Sequence, residues 1–282
     1  MIKLTKYFFQ AIIIYLFFFI IKIIGLKLSR IFFSKIFMTL GPFVRKKKII
    51  QNNLSLAGIK LQNINHIEKE MWSNYGMTFV EYIFLNDFRR SNSHIDVQGL
   101  EILDELKKKN KSAIFISGHF ANFELMSMEL TKYGLELATI YRPLNNYFLN
   151  PFMEYLRRKH ICKNQIKKGI SGIKEVLKYL ENNCSIAMMV DQRLSEGEKI
   201  DLFGKPAATT TLPAQLSIRF NLDIIPIRLI RNKENTFSMK IDKPIEFKTK
   251  NKIEITKSIN KVLEKMVLEN PSQWIWTHNR WR

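Results

Sequence analysis

The chain has a long apolar run of residues near its N-terminus. Residues 7–21 carry no charged side chain and one amide, Gln10, and residues 23–26 extend the run beyond Lys22. With Lys22 reaching toward a membrane surface, the run attains about the 20 residues that a membrane-spanning helix needs. We therefore predict a membrane anchor at residues 1–27. A signal peptide is disfavoured because no small-x-small cleavage site is evident, and a buried core helix is disfavoured because Phe and Ile cover all its faces.

Positive charge follows this anchor. The cations after the run outnumber the two lysines before it and include Lys27, Arg30, Lys35 and the run at residues 45–48. This bias predicts that the bulk of the protein lies on the cytoplasmic side of the membrane. Residues 28–40 are apolar with few cations, a pattern that fits a helix on the membrane surface and an ordinary packed helix equally. We assign residues 28–98 to a helical interfacial region packed on the remaining domain.

From residue 99 onward, short apolar runs alternate with segments of helical periodicity. The apolar runs predict strands at residues 112–117, 135–141, 184–190, 224–230 and 237–241. Helical spacing predicts helices at residues 102–108, 122–133, 147–159, 172–180, 212–220 and 252–268. Strands that alternate with helices are typical of the α/β class. We predict a mixed, largely parallel sheet flanked by helices in residues 99–282.

Composition narrows the class of protein without selecting a function. A hydrophobic fraction of 46% excludes global disorder, and only two cysteines, Cys162 and Cys184, exclude a disulfide scaffold. The chain has 45 Lys and Arg against 25 Asp and Glu, a formal net charge of +20. This charge favours anionic partners. The candidates are nucleic acid, anionic lipid, a phosphorylated substrate and an acidic carrier protein.

Polar side chains follow three of the predicted strands directly. His119 and Glu124 come after the strand at 112–117, Arg142 comes after the next, and Asp191 and Arg193 come after the third. Ligands of open α/β sheets bind at the carboxyl ends of the strands, so we expect these side chains to converge.

The spacing of His119 and Glu124 permits acid–base chemistry. Five residues apart on one helix, the two would not face each other, but a strand-to-helix turn removes that restriction. The carboxylate can then accept a hydrogen bond from one imidazole nitrogen and leave the other as a base. Spacing alone still favours a structural histidine beside a carboxylate, because H-x4-E has little specificity.

Several motifs, in the right order, resemble the bacterial lipid A biosynthesis acyltransferase family. They are GHFANFE at residues 118–124, IYRP at 140–143, VDQ at 190–192, FGKPA at 203–207 followed by three threonines, and WIWTHNRW at 274–281. Together they cover nearly the whole chain, although each motif alone is weak. Two mild departures are Ala121, where the family often has Gly, and Phe123, where it more often has Trp.

The resemblance implies transfer of a fatty acyl group from acyl carrier protein to a hydroxyl of a phosphorylated lipid A precursor. It implies His119 as general base and Glu124 as its partner, with direct attack on the thioester, no metal and no cofactor apart from acyl-carrier protein as donor. The implied substrate-binding residues are Asn122, Arg142, Asp191, Arg193 and Lys205. Asp191 either orients Arg142 or lies near His119, and strand-terminal salt bridges are an alternative role for the charged members of this set.

The implied partners are acyl carrier protein, the lipid A precursor and the inner-membrane bilayer, with a cytoplasmic catalytic domain behind a single-pass anchor. We expect no nucleic acid partner, since no nucleic-acid-binding motif is evident. Two alternatives remain: an acyltransferase that uses acyl-CoA or acyl carrier protein on another glycolipid or glycerolipid, and a non-enzymatic basic protein anchored to the membrane. The aromatic and basic residues at 274–281 fit a membrane interface and core packing about equally.

Overall fold

A computed structural model describes residues 2–44, 47–194 and 197–281, so Arg45 and Lys46 of the predicted cationic run lie outside the described residues. The helices are α1 Ile2–Ile24, α2 Leu26–Val44, α3 Lys47–Leu56, α4 Leu61–Glu81, α5 Leu85–Arg90, α6 Leu100–Lys108, α7 Glu124–Lys132, α8 Asn150–Leu156, α9 Ile170–Glu181, α10 Leu212–Phe220 and α11 Lys252–Glu269. The strands are β1 Ile95–Gln98, β2 Ile114–Ser117, β3 Leu137–Tyr141, β4 Asn164–Lys167, β5 Ser185–Met189, β6 Glu198–Leu202, β7 Lys205–Thr209, β8 Ile224–Arg231 and β9 Phe237–Ile241. A π-helical turn, Arg157–Ile161, continues α8.

The described strands form one seven-stranded sheet in the order β1-β9-β8-β2-β5-β3-β4, and β6 and β7 form a separate hairpin. Every neighbouring pair in the large sheet is parallel except β8 and β9. The central strand β2 is buried at all four positions, as expected for a strand with helices on both faces. Because β2, β5 and β3 are parallel neighbours, the loops that follow them leave from the same edge of the sheet.

The N-terminal helices pack closely on this core. A Cβ atom at Gly41 of α2 would overlap the ring of Trp72 in α4, and one at Gly76 of α4 would overlap the backbone of Phe33 in α2. The two glycines therefore permit a helix separation that any larger side chain would prevent.

A buried ionic network joins these helices to the sheet. The carboxylate of Glu81, at the end of α4, is fully buried and accepts hydrogen bonds from Arg30 Nε at 2.7 Å and from both terminal nitrogens of Arg231, at the end of β8. It also accepts a hydrogen bond of 3.0 Å from Asn122 Nδ2, in the loop after β2. Several such hydrogen bonds are what a buried carboxylate needs to remain charged.

The fold class is confirmed: the sheet is mixed and mostly parallel, with flanking helices and one N-terminal helix, residues 3–24, that is long and apolar enough to span a membrane. The predicted strands all occur within one to two residues of their expected ends. The sequence pattern missed β1, β4 and the β6–β7 hairpin, whose short or polar sequences hide the apolar signal of a strand. Because β1 pairs with β9, the sheet begins before residue 99, inside the region that we assigned to helices.

Candidate active site

His119 lies in the loop between β2 and α7, at the carboxyl edge of the sheet. A Cβ atom at the preceding residue, Gly118, would lie 2.6 Å from the ring of Phe120, so the tight turn at this point requires glycine. The side chain of His119 is 14% exposed, and its ring packs edge-on against Phe123 at 4.5 Å between centroids. The imidazole is therefore held in place while remaining within reach of a ligand.

Asp191, the second residue after β5, is the carboxylate that contacts His119. The Nδ1 atom of His119 lies 2.7 Å from Asp191 Oδ1, and the backbone N–H of His119 donates to Oδ2 at 2.8 Å. The indole Nε1–H of Trp274 also donates to Oδ2, at 2.8 Å. Parallel pairing of β2 with β5 brings the two loops together. Three hydrogen bonds thus fix the carboxylate against one edge of the imidazole.

These contacts keep Asp191 ionised although it is buried. Burial raises the pKa of Asp191, but the His119 ring, the hydrogen bonds from His119 and the charge of Arg280 outweigh it and hold the pKa well below its ordinary value. Arg280 itself is buried, and burial lowers its pKa to about 10 although Asp191 raises it. Its guanidinium is held by the carbonyl of Val190 at 3.2 Å and by Thr209 Oγ1 at 3.3 Å.

The other ring nitrogen of His119 faces Gln192, whose Nε2 atom lies 3.1 Å away. A carboxylate can only accept, so the proton between Asp191 and the ring belongs to Nδ1, and the amide of Gln192 donates to the lone pair on Nε2. In this tautomer Nε2 is the basic nitrogen. The arrangement can accept a proton from a hydroxyl group that takes the place of the Gln192 amide.

Glu124 contacts other partners. As the first residue of α7, it accepts hydrogen bonds at Oε1 from Tyr82 Oη at 2.6 Å and from Arg157 Nε at 2.7 Å. Burial and the neighbouring carboxylate raise the pKa of Tyr82, and the carboxylate raises the pKa of Arg157 against the effect of its burial. The partner of His119 therefore differs from Glu124, which the resemblance implied, because the turn directs Glu124 toward the π-helical turn and not toward the imidazole.

Of the other site residues that the sequence predicted, one has a structural role and three are exposed. Asn122 is buried, and its amide donates to Glu81, which ties the His119 loop to the ionic network. Arg142 and Arg193 are exposed in the loops after β3 and β5, the edge that carries His119. Lys205 is exposed at the turn of the β6–β7 hairpin, at the opposite end of β7 from the Thr209 that contacts Arg280.

The C-terminal segment contributes groups to the site that sequence reasoning did not assign to it. Trp274, Trp276 and Arg280 are buried, so this segment packs in the core. Trp274 pairs with Phe120 in an isolated bridge, and the backbone N–H of Ala121 donates to the carbonyl of Gln273 at 3.0 Å. The tryptophans and the arginine of this segment were visible in the sequence. The hydrogen bond from Trp274 to Asp191, however, joins residues 83 apart, and no local pattern predicts such a contact. Within the described ranges, no group of three or more metal-ligating side chains is present.

Comparison with known proteins identifies the family of the chain. The family model for bacterial lipid A biosynthesis acyltransferases matches residues 2–282. A lipid A biosynthesis palmitoleoyltransferase of Escherichia coli K12 is 24% identical over 254 residues, which cover 86% of this chain and 80% of that relative. A lipid A biosynthesis acyltransferase of Haemophilus influenzae is 23% identical over 263 residues, or 89% of this chain and 82% of the relative. A Shigella flexneri lipid A biosynthesis acyltransferase has 24% identity over 254 residues, with coverage of 86% and 80%.

Proposed function

Because this chain belongs to the bacterial lipid A biosynthesis acyltransferase family and is an acyltransferase, we propose that it moves a fatty acyl chain from the thioester of acyl carrier protein to a hydroxyl of a phosphorylated lipid A precursor. The enzyme works at the inner membrane, with its catalytic domain on the cytoplasmic side. The palmitoleoyl chain named for the Escherichia coli relative makes a long acyl donor the first to test.

His119 acts as the general base in this proposal. Its Nε2 atom takes the proton of the acceptor hydroxyl as the hydroxyl oxygen attacks the thioester carbonyl carbon. The tetrahedral intermediate collapses to the ester, the C–S bond breaks, and His119 returns the proton to the departing thiolate of the carrier. No covalent bond to the enzyme forms.

Asp191, and not Glu124, is the positioning residue for His119. The observation that carries this assignment is the 2.7 Å contact between His119 Nδ1 and Asp191 Oδ1, which leaves Nε2 as the basic nitrogen. The ionised carboxylate also stabilises the imidazolium that forms when Nε2 is protonated. Arg142 and Arg193, exposed at the same edge, bind phosphate groups of the acceptor, for which guanidinium groups are well suited. Glu124 instead fixes Arg157 beside Tyr82.

The test is an acyl-transfer assay with detergent-purified protein, acyl carrier protein loaded with a palmitoleoyl chain, and a tetra-acylated lipid A precursor, read by mass spectrometry. Wild-type protein adds the mass of one acyl group. His119→Ala loses about 10²- to 10⁴-fold in rate, as expected for a general base. His66→Ala, which changes an exposed histidine that contacts Glu70 one turn along its own helix, serves as the matched control and retains the rate.

Parallel reactions distinguish the alternatives. Loss of the thioester that requires His119 but adds no mass to the precursor would show that the protein is an acyltransferase whose acceptor is another glycolipid. Transfer from acyl-CoA at the same rate would remove the requirement for the carrier protein. Full activity of His119→Ala would contradict the mechanism.

A further inference from the structure

We propose that α1 lies in the plane of the membrane, with one face in the hydrocarbon of a single leaflet, and that it does not cross the bilayer. The partner of this surface is a bilayer leaflet that contains anionic phospholipid. The proposal concerns the orientation of the protein and does not depend on the reaction that it catalyses.

One stripe of α1 packs on the protein along almost the whole helix. Ala11, Phe18 and Ile21, spaced at helical intervals, are buried, and Tyr7 in the turn before them is half-buried. Phe18 stacks on Phe79 of α4 at 5.1 Å between ring centroids. A helix that left the domain to enter a bilayer would make such contacts at one end only.

Both ends of α1 contact the same body. Near its start, Asn146 Nδ2 donates to the carbonyl of Tyr7 at 2.8 Å, and at its middle Tyr15 Oη donates to the carbonyl of Phe148 at 2.8 Å. Near its end, Lys22 Nζ lies 3.8 Å from Asp87. Asn146 and Phe148 belong to the irregular segment at residues 143–149 that follows β3, so the start of α1 is attached to the catalytic domain.

This attachment conflicts with a crossing. Tyr7 and Lys22 are separated by about 22 Å along the helix, most of the roughly 30 Å thickness of the hydrocarbon. If α1 crossed the bilayer, it would carry the irregular backbone of residues 143–149 into lipid, where each unsatisfied backbone group costs several kcal/mol. An in-plane helix avoids this cost because both of its ends remain at the interface.

The exposed face of α1 matches one leaflet in polarity and charge. Large apolar side chains are exposed along it and continue onto α2, and they include Phe9, Ile13, Leu16, Phe19, Ile23, Leu28, Phe32 and Phe43. Exposed lysines accompany them at positions 3, 6, 22, 27 and 35. The first acidic residue of the chain is Glu68. Exposed apolar side chains fit the hydrocarbon of a leaflet, and the lysines beside them fit its anionic headgroups.

The orientation has a consequence for the site. Residues 143–149, which α1 contacts, follow β3 at the carboxyl edge of the sheet, where His119 also lies. Tyr147 in this segment is exposed beside Tyr7. If the proposed function is correct, the lipid acceptor reaches His119 by lateral movement from the leaflet that holds α1.

The test uses variants with one added cysteine in sealed vesicles, since the two natural cysteines are buried. Lys6→Cys reports the start of α1, and Lys174→Cys on α9, exposed on the catalytic domain, is the matched control. A membrane-impermeant maleimide should label both variants in inside-out vesicles and neither in right-side-out vesicles. Labelling of Lys6→Cys only in right-side-out vesicles would overturn the proposal. Wild-type protein gives the background labelling of the two natural cysteines.

A second experiment measures how deeply α1 lies in the membrane and tests the proposal independently. A fluorophore attached to Phe9→Cys, Leu16→Cys or Ile23→Cys is quenched by brominated lipids in vesicles that contain anionic phospholipid. The proposal expects one shallow depth at all three positions, about 5–10 Å into the headgroup and acyl boundary. A profile that is deepest at Leu16→Cys and shallow at both ends would overturn it, whatever the labelling result.

Discussion

Two buried carboxylates lie near the start of α7, and their surroundings differ. Asp191 belongs to the His119 cluster, which consists of His119, Asp191, Gln192 and Trp274. Glu124 belongs to the Glu124 cluster, which consists of Glu124, Tyr82 and Arg157. Asp191 faces a group that can change its charge, whereas Glu124 faces an arginine that remains charged at all working pH values. Only the His119 cluster can therefore take up and release a proton.

The difference shows how poorly distance along the chain predicts chemistry. Glu124 is five residues from His119, and Asp191 is 72 residues away. Parallel strands bring the distant carboxylate to the imidazole, and the local turn directs the near one to Arg157.

The largest effect is expected from Asp191→Asn. The amide cannot act as an ionised acceptor for Nδ1–H, so the basic nitrogen is no longer fixed as Nε2, and turnover should fall by about 10³- to 10⁴-fold. The measurement is the single-turnover rate of acyl transfer. Glu124→Gln is the paired variant and should lose at least about tenfold less. Equal losses would remove the distinction between the clusters.

A large loss of stability is expected from Glu81→Ala, because Glu81 holds the loop between the two clusters through Asn122. The substitution leaves Arg30 and Arg231 buried without their carboxylate and should lower the free energy of unfolding by about 3–5 kcal/mol. Urea denaturation measures this free energy of unfolding. Glu105→Ala, which removes an exposed helix pair with Lys109, should change it by less than about 0.5 kcal/mol.

A smaller loss of stability is expected from Glu124→Gln. The amide keeps a hydrogen-bond acceptor for Tyr82 but loses the charge that faces Arg157, so the free energy of unfolding should fall by about 1–3 kcal/mol. The same urea titration measures it, and no change would indicate that Arg157 finds another partner.

The contribution of Asp191 to stability should depend on pH. Its pKa is lower in the folded chain than the ordinary 3.8, so its stabilising effect is fully present above that value and is lost as the pH falls below it. The difference in unfolding free energy between wild type and Asp191→Asn should shrink as the pH falls below about 4. A difference that grows below that pH would contradict the assigned direction.

The smallest effect is expected from Ala121→Gly. Ala121 has φ 45°, a left-handed conformation that costs an alanine about 1 kcal/mol relative to glycine. The variant should therefore unfold at slightly higher urea concentration. The matched control is Ala113→Gly, at a buried position where no positive φ occurs, which should be destabilising.

The sequence allowed prediction of the strands with apolar runs and of the edge on which His119, Arg142 and Asp191 lie. It did not allow prediction of β6 and β7, since EKIDL and KPAAT lack a continuous apolar signal. The sequence offered a place near His119 as one of two alternatives for Asp191 but assigned Glu124 as the partner of His119, because the order of β2, β5 and β3, which decides which loops touch, is not visible in it. The hydrogen bond from Trp274 depends on how the C-terminal segment packs, and no spacing rule describes that.

The position of the proton on the neutral His119 ring is the most direct test of Asp191 as the partner of His119. Nitrogen-15 NMR of histidine-labelled protein, at a pH where the ring is neutral and with His119→Gln to assign the signal, distinguishes the two tautomers. We expect a proton on Nδ1, none on Nε2, and loss of this preference in Asp191→Asn but not in Glu124→Gln. A proton on Nε2 in the wild type, or a preference that responds to Glu124→Gln alone, would contradict it.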